Sequence, residues 1–522
     1  MGSILAALRR STNPIVLAGL ILAAITGCAL IIYSTQPGPW AFSDSTTYLW
    51  AARNLANGLG LVMQNARGEF HPLIWHPPLF SILLSLPIKL GIDALQAARW
   101  MNAVFFGITI FVGGLATWRF TRSFLAVVSV TALSVFAIDL LFVFSGAMSE
   151  ATFFALGFSA IFLMVESIQF KPKPFLLGVV GILAGLTYLA RYAGIVFSGT
   201  IIVIVFLFAG GTFWQRVRTT LPAALPALLI PAAWTLYVFG INRTFGGRNF
   251  LPTNSLRIDF VDYFNPFWHV ITGWIPYILR GNHILPAGWK FTLGFLVVFV
   301  VLAIGLWALK KRGFNREVRP HLLWAATLFL FFTAYLAFHF TSYIFSSAAP
   351  EIDRRLLSPL LFSAIFLLGA IFSLPGTATQ KTFRPAEWLL FGYMLISLFY
   401  FHGRLQDFLY EQHHFGLGYT SKRWKQSELI QRAAHLDPKV TLAANNYALL
   451  LFYTDRFPYA IDLPSAADGQ LELPGDSAYL VLFRDYSQFR FGEDGDEYLK
   501  QLSMICDILY EDSEGYICHW RK

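Results

Sequence analysis

Charged residues are scarce in this chain of 522 residues, where Asp, Glu, Lys and Arg together contribute 13%. Soluble globular domains carry about a quarter of their residues as these four types. Hydrophobic residues make up 56% of the sequence, and its mean hydropathy is +0.56. This shortage of charge excludes an ordinary soluble protein and indicates an integral membrane protein.

Two sequence patterns are absent, and each absence argues against a class of function. No glycine-rich phosphate-binding loop occurs, so a nucleotide-binding site is not expected. No basic stripe with interleaved aromatic residues occurs in the polar C-terminal part, so nucleic acid is not expected as a partner. The net charge of +9 therefore needs another explanation.

Cysteine is also rare, with three residues in the whole chain. Cys28 lies in the first apolar segment, where packing accounts for it. Cys506 and Cys518 flank a turn-like stretch near the end of the sequence. Two cysteines on facing hairpin strands of an exported domain can form a disulfide, and two unpaired thiols are equally compatible with the sequence.

Long apolar runs are abundant, and many of them are long enough to cross about 30 Å of hydrocarbon as helices. Eleven spans are predicted, at 14–35, 99–118, 123–143, 151–169, 176–192, 194–212, 220–240, 291–309, 322–345, 357–374 and 386–402. The first run is too long for a removable signal peptide and lacks a small-residue cleavage site. The shorter stretch 77–92 contains three prolines and is predicted to lie along the membrane surface without crossing it.

The positions of Lys and Arg predict the orientation of these spans. Arg9 and Arg10 precede the first span and place the N-terminus in the cytoplasm, and every even-numbered connection is basic. These connections contain Arg119 and Arg122, Lys171 and Lys173, Arg216 and Arg218, Lys310-Lys311-Arg312 with Arg316 and Arg319, and Lys381 and Arg384. The outer side of the inner (plasma) membrane then receives the first loop (36–98), the loops 241–290 and 346–356, and the tail.

Charge separates the tail from the rest of the chain. Residues 403–522 hold 12 Lys and Arg against 18 Asp and Glu, a net charge of −6, which leaves +15 for residues 1–402. We predict a transmembrane domain over 1–402 and an extracytoplasmic α/β domain over 403–522. In the tail, Ser427 is the predicted N-cap of a helix that ends near His435. Strand-like runs follow at 440–444, 478–483 and 504–510.

The first outer loop carries an acidic residue, Asp44, directly after the first span. Taken alone, this carboxylate is either a helix cap or a functional acid at the membrane surface. The surrounding pattern is Asp44-x3-Tyr48-x2-Ala51-x2-Asn54-x3-Gly58, followed by His76-Pro77-Pro78-Leu79. This pattern resembles the first external loop of the GT-C glycosyltransferases. It is closest to the branch of the protein O-mannosyltransferases and the aminoarabinose transferase of lipid A (glycosyltransferase family 39), where Lys usually stands at the position of His76.

Three further segments resemble elements of this family, and together they extend the resemblance over most of the chain. They are Ser149-Glu150 (a second acidic site), Arg191-Tyr192-Ala193-Gly194, and Asp353-Arg354-Arg355-Leu356-Leu357-Ser358-Pro359 before a late outer helix. The resemblance implies an all-α polytopic membrane protein with the GT-C fold. It implies about 11 transmembrane helices, additional juxtamembrane helices and a small C-terminal α/β extracytoplasmic domain.

The resemblance also implies an activity, the transfer of a sugar from a polyprenyl-phosphate-linked donor to an acceptor glycan, lipid or protein outside the membrane. Asp44 is the expected base, and Glu150 the second acidic site. Arginine suits the donor because its guanidinium binds phosphate oxygens in pairs. The candidate donor-binding residues are Arg191, Tyr192, Arg354, Arg355, His76, Tyr48 and Arg53. No cofactor or metal is required, although Asp44 and Glu150 could share a divalent cation.

Each candidate has a structural alternative. An arginine just outside a span can anchor the helix at the interface, and Glu150 can simply face the positive end of a helix dipole. Asp139, inside the third predicted span, is a further ionisable candidate that no matched motif accompanies. Trp268, Trp274 and Trp289 suit an interfacial aromatic belt.

Two other functions of polytopic membrane proteins are disfavoured by the sequence. A lipid-linked glycan flippase or export protein is disfavoured because acids and cations concentrate at the outer rim instead of along a path through the spans. An oligosaccharyltransferase acting on Asn sequons is disfavoured because the second outer loop has no Asp-x-Asp pair and the chain has no Trp-Trp-Asp-Tyr-Gly stretch.

Overall fold

The computed structural model describes residues 13–169, 173–244, 260–276, 319–346, 352–373, 385–467 and 470–522. Several predicted features lie outside these residues: the span 291–309, Trp289, and the basic residues Arg9, Arg10, Lys171, Lys310, Lys311, Arg312, Arg316, Lys381 and Arg384.

Helices dominate the part of the chain that precedes residue 416. They are α1 (Pro14–Ser34), α2 (Ser43–Ala56), α3 (Leu79–Lys89), α4 (Ala94–Thr121), α5 (Phe124–Val135), α6 (Ile138–Phe144), α7 (Glu150–Gln169), α8 (Pro174–Ala190), α9 (Ile195–Phe208), α10 (Phe213–Asn242), α11 (Phe260–Gly273), α12 (Arg319–Phe345), α13 (Arg354–Phe372) and α14 (Pro385–Phe415). A small hairpin of β1 (Val62–Gln64) and β2 (Phe70–Pro72) lies between α2 and α3.

Within the described residues, six helices are long and apolar enough to cross a membrane: α1, α4, α7, α10, α12 and α13. Helices α5 and α6 together have the composition of a seventh span, but they are bent by 57°. The predicted span 123–143 is therefore a bent pair of helices, because the extended backbone of Ala137 interrupts the helical hydrogen bonds. Helices α8 and α9 are apolar but shorter than 18 residues, so the predicted total of eleven spans is not confirmed.

The stretch 77–92 forms the short helix α3, which has 11 residues. At 1.5 Å per residue it is about 16 Å long, half of what the hydrocarbon core requires. Helix α3 buries Phe80 and Leu84 against Tyr48 and Leu49 of α2. The two helices thus pack together as one layer. His76 lies shortly before the N-terminus of α3.

Aromatic packing fixes helix α7 at the centre of the bundle. The ring of Phe158 lies 5.4 Å from that of Phe197, 5.6 Å from that of Phe331 and 4.4 Å from that of Phe362, measured between centroids. These partners come from α9, α12 and α13. Phe158 is buried, and aromatic pairs at such distances add to the stabilisation from burial. The N-terminus of α7, which begins with Glu150, is therefore held in place relative to α13.

Helices α8 and α10 approach each other closely at Gly181. A methyl group at this position would overlap the backbone carbonyl oxygen of Ala223, whereas one at Gly178 would meet only the oxygen of Pro222 at 3.9 Å. We expect Gly181→Ala to lower the thermal unfolding temperature in detergent, since overpacking costs about 1–3 kcal/mol. Gly178→Ala on the same helix is the matched control and should leave it unchanged. Equal melting temperatures for the two variants would contradict this packing.

The tail forms a five-stranded mixed sheet with helices. Its elements are α15 (Lys422–Gln426), α16 (Glu428–Ala434), β3 (Thr441–Ala444), α17 (Tyr447–Thr454), β4 (Tyr459–Ala460), α18 (Leu463–Ala467), β5 (Ser477–Phe483), α19 (Arg484–Phe491), α20 (Asp494–Met504), β6 (Asp507–Glu511) and β7 (Gly515–Arg521). The strand order is β4-β3-β5-β7-β6, with β3 parallel to β4 and β5, and β7 antiparallel to β5 and β6.

Most of the predicted tail elements are confirmed. The hydroxyl of Ser427 accepts a hydrogen bond from the backbone N–H of Ile430 and caps α16, and β3 and β5 occupy the predicted runs. The run 504–510 was placed too early, because Met504 still belongs to α20 and the strand begins at Asp507. Cys506 and Cys518 form a disulfide, which decides the question that the sequence left open.

The tail directly contacts the segment that follows α1. The backbone N–H of Tyr419 donates to the carbonyl of Ala41 at 2.8 Å, and the rings of Trp50 and Phe457 meet at 4.8 Å. The guanidinium of Arg53 lies 3.6 Å from the carboxylate of Asp455. These contacts hold the tail against α2, the helix that carries Asp44.

Candidate active site

Asp44 lies in the first turn of α2 and is not its N-cap, which is Phe42. Its carboxylate lies near two nitrogen-bearing side chains from distant parts of the chain. Oδ2 lies 3.5 Å from Nη1 of Arg355, and Oδ1 lies 3.9 Å from Nε2 of His76. The side chain is 38% exposed. A carboxylate that is held by a guanidinium group and is still open to solvent can accept a proton from an arriving group.

Glu150 is the second carboxylate of the site, and its side chain is only 3% exposed. It forms an ion pair with Nη1 of Arg191, and Nε of Arg355 lies 3.4 Å from its Oε1. Buried charges are stable only when they are paired. Two guanidinium groups meet this requirement for Glu150.

Arg355 connects the two carboxylates, since its guanidinium contacts both Asp44 and Glu150. It stands at the start of α13, where Asp353 is the N-cap and accepts a hydrogen bond from the backbone N–H of Leu356 at 2.8 Å. We call the connected side chains of Arg191, Glu150, Arg355, Asp44 and His76 the ion-pair cluster. Its two carboxylates balance its two guanidinium groups.

Local backbone structure explains the position of Arg191. Helix α8 ends at Ala190, and Arg191 has an extended backbone before a 3₁₀ turn at Tyr192–Gly194. Gly194 packs against the backbone of Thr187, where a Cβ atom would overlap it. The hydroxyl of Thr187 donates to the carbonyl of Gly194 at 3.1 Å and closes the turn. The Arg-Tyr-x-Gly sequence thus turns the chain so that Arg191 reaches Glu150.

Two tyrosines named from the sequence lie beside the cluster. The hydroxyl of Tyr48 is 3.3 Å from that of Ser149, and its ring lies 5.0 Å from that of His76. Burial, and next the charge of Asp44, raise the pKa of Tyr48, so its hydroxyl stays protonated at physiological pH. The hydroxyl of Tyr192 donates to the carbonyl of Ile74 at 3.1 Å and holds the segment before His76.

One neighbour of the cluster, Tyr335 on α12, was missed from the sequence. It is buried, and its hydroxyl donates to the carbonyl of Leu356 at 3.1 Å, which steadies the backbone directly after Arg355. The only signal in the sequence was a polar group within an apolar span, and several other tyrosines share that signal.

Two of the predicted donor-binding residues are not brought to the cluster. Arg53 pairs with Asp455 of the tail. The guanidinium of Arg354 lies 4.5 Å above the ring of Phe142, on the side of α13 that lines a separate cavity with Asp139. Among the described contacts, none joins either arginine to Asp44 or Glu150.

The described residues contain no group of three or more His, Cys, Asp and Glu side chains arranged to hold a metal ion. The contact between the two acidic sites runs through the guanidinium of Arg355.

Solved structures resemble this chain over nearly its whole length. ArnT from Cupriavidus metallidurans bound to undecaprenyl phosphate matches with a TM-score of 0.58 and 13% identity, covering 96% of this chain and 98% of that one. The archaeal oligosaccharyltransferase AglB from Archaeoglobus fulgidus, in complex with an inhibitory peptide and a dolichol-phosphate, matches with a TM-score of 0.54 and 12% identity. That match covers 98% of this chain and 74% of AglB. Both are GT-C glycosyltransferases.

The chain has the GT-C fold. No family model matches the sequence, and no curated protein matches it. In this GT-C fold the ion-pair cluster gathers residues from the starts of α2, α7 and α13 and from the end of α8. These four helix ends therefore lie together on one side of the bundle.

Proposed function

We propose that this protein transfers a sugar from a polyprenyl-phosphate-linked donor to an acceptor hydroxyl or amine. One observation carries the proposal: Arg355 holds an exposed carboxylate, Asp44, and a buried one, Glu150, in a single cluster at one end of a GT-C helix bundle. The undecaprenyl phosphate of the ArnT structure and the dolichol-phosphate of the AglB structure support a donor of this class.

In the proposed reaction the acceptor oxygen or nitrogen attacks the anomeric carbon of the donor sugar. A bond from the acceptor to this carbon forms while the bond from the carbon to the phosphate oxygen breaks. The electron pair leaves with the polyprenyl phosphate, and the acceptor proton passes to Asp44, the general base. A single displacement of this kind inverts the anomeric centre.

The donor phosphate requires cations, and the cluster offers Arg355, Arg191 and His76. Arg355 is the main candidate because its guanidinium is shared between two carboxylates and can turn toward a phosphate in bidentate fashion. Arg191 supports it through Glu150, and the protonated hydroxyl of Tyr48 is a hydrogen-bond donor beside His76. Tyr192 holds the loop in place. The proposal includes no metal ion and assigns no donor contact to Arg53 or Arg354.

The proposed topology has eleven spans and an active site outside the inner (plasma) membrane, with the division at 402/403 between the transmembrane domain and an extracytoplasmic tail. The disulfide Cys506–Cys518 supports an exported tail, because such bonds persist mainly in oxidising compartments. The acceptor is a glycan, lipid or protein on that side.

The proposal is tested with the purified protein in detergent and a labelled polyprenyl-phosphate sugar. We expect free polyprenyl phosphate to appear together with labelled acceptor, both with and without a chelator, while the same sugar linked to a nucleotide is not consumed. Movement of a lipid-linked glycan across vesicle membranes without any cleavage of the donor would instead identify a flippase.

A further inference from the structure

A second cavity lies on the other side of α13 from the ion-pair cluster, and the proposed reaction does not use it. Its volume is about 280 Å³, and helices α13 and α14 supply most of its wall. The apolar part of the wall includes Leu133, Phe136, Leu361, Ile365, Leu368 and Leu405. The bend between α5 and α6 lines the cavity through Ala137 and its neighbours.

Polar groups are gathered in one part of this cavity: Asp139, Trp274, Arg354 and Arg404. The carboxylate of Asp139 accepts a hydrogen bond from Nε1 of Trp274 at 2.9 Å. Arg354 and Arg404 are exposed, and each guanidinium lies over an aromatic ring, that of Phe142 at 4.5 Å and that of Phe401 at 5.8 Å. Arg354 and Arg404 therefore lie near the carboxylates of Asp139 and Asp353, and Asp139 already has Trp274 as a partner.

The adjacent residues Arg354 and Arg355 point to different sides of the same helix. Successive residues on an α-helix point about 100° apart. As a result Arg355 reaches Asp44 and Glu150, while Arg354 reaches the cavity. The cavity is thus a separate site that shares the N-terminus of α13 with the ion-pair cluster.

We propose that this cavity binds one chain of an anionic glycerophospholipid, with the lipid phosphate at Arg354 and Arg404. The apolar wall suits a hydrocarbon chain, and the two exposed guanidinium groups suit a lipid phosphate. The volume is below that of usual small-molecule pockets, so it holds part of one chain and leaves the rest of the lipid in the bilayer. This inference does not depend on sugar transfer.

The experiment uses the full chain in detergent, incubated with phosphatidylglycerol or with phosphatidylcholine that has the same acyl chains. The protein is then repurified, and the bound lipid is counted by native mass spectrometry. We expect phosphatidylglycerol to be retained roughly tenfold better than phosphatidylcholine. The double variant Arg354→Gln/Arg404→Gln should lose this preference, while Arg490→Gln/Lys500→Gln, which removes two exposed cations of the tail, should keep it.

A second variant fills the cavity without changing its charge. Ala364 lines the cavity, and Ala364→Phe should displace the chain and abolish retention of phosphatidylglycerol. Equal retention of the two phospholipids by the native protein would overturn the proposal, as would full retention of phosphatidylglycerol by a folded Ala364→Phe protein. So would exclusive retention of a polyprenyl phosphate in a parallel incubation, which would assign the cavity to the donor.

Discussion

Asp44→Asn is expected to lower the rate of sugar transfer by about 10²–10⁴-fold, the usual contribution of a general base. The amide has nearly the same shape as the carboxylate and can still accept a hydrogen bond from Arg355, but it cannot take the proton of the acceptor. Because Asp44 is 38% exposed, removing its charge does not leave a deeply buried cation without a partner. The variant should therefore fold and still bind the donor.

The measurement is the release of polyprenyl phosphate under single-turnover conditions, together with donor binding followed by the shift in melting temperature. Glu69→Gln is the matched control, because Glu69 is an exposed carboxylate in the β2 hairpin region of the same outer loop. It should retain full activity. Unchanged turnover in Asp44→Asn, or a loss that donor binding fully explains, would reject Asp44 as the base.

Glu150→Ala is expected to produce the largest loss of stability among single substitutions in the cluster. It leaves Arg191 without the buried carboxylate that pairs with it, and breaking such a pair costs about 3–5 kcal/mol. The melting temperature in detergent should fall strongly, and transfer should be lost with it.

A double variant separates charge from packing. Glu150→Gln/Arg191→Gln removes both charges of the buried pair and should recover most of the melting temperature while the protein remains inactive. Glu428→Ala, which breaks the exposed pair with Arg432 on the tail, should hardly change the melting temperature. If Glu150→Ala melted like the native protein, the pair would not have the structural role that its burial indicates.

Part of this site could be predicted from the sequence because its residues stand next to clear landmarks. Asp44 directly follows the first span, Glu150 opens one, and Arg191 and Arg355 flank others. Counting the predicted spans assigns each span end to one side of the membrane. These residues are assigned to the same side, so the sequence already predicts that they lie near one another. In the tail, the strand-like runs predicted strands of the sheet, and Ser427 predicted the helix cap. These predictions were possible because both signals are local in the sequence.

Other features could not be predicted, because they depend on direction or on distant contacts. Nothing in the sequence distinguishes Arg354 from Arg355; the rotation of α13 sends one guanidinium to Asp44 and the other to the second cavity. The bend before Asp139 interrupts a run that is apolar on both sides of it, and Arg53 pairs with Asp455 because the tail docks against α2.

By itself, the sequence determined that the chain lies in a membrane, because its apolar runs are long enough to cross a bilayer and carry few charges. It also determined which acids and arginines stand at the ends of the spans. Only the tertiary structure decided which of them share a site, that Cys506 and Cys518 are bonded, and that α13 carries both an arginine of the ion-pair cluster and one that lines a separate cavity. The reason is physical: hydropathy is a property of segments, whereas an ion pair depends on how helices are rotated and packed against one another.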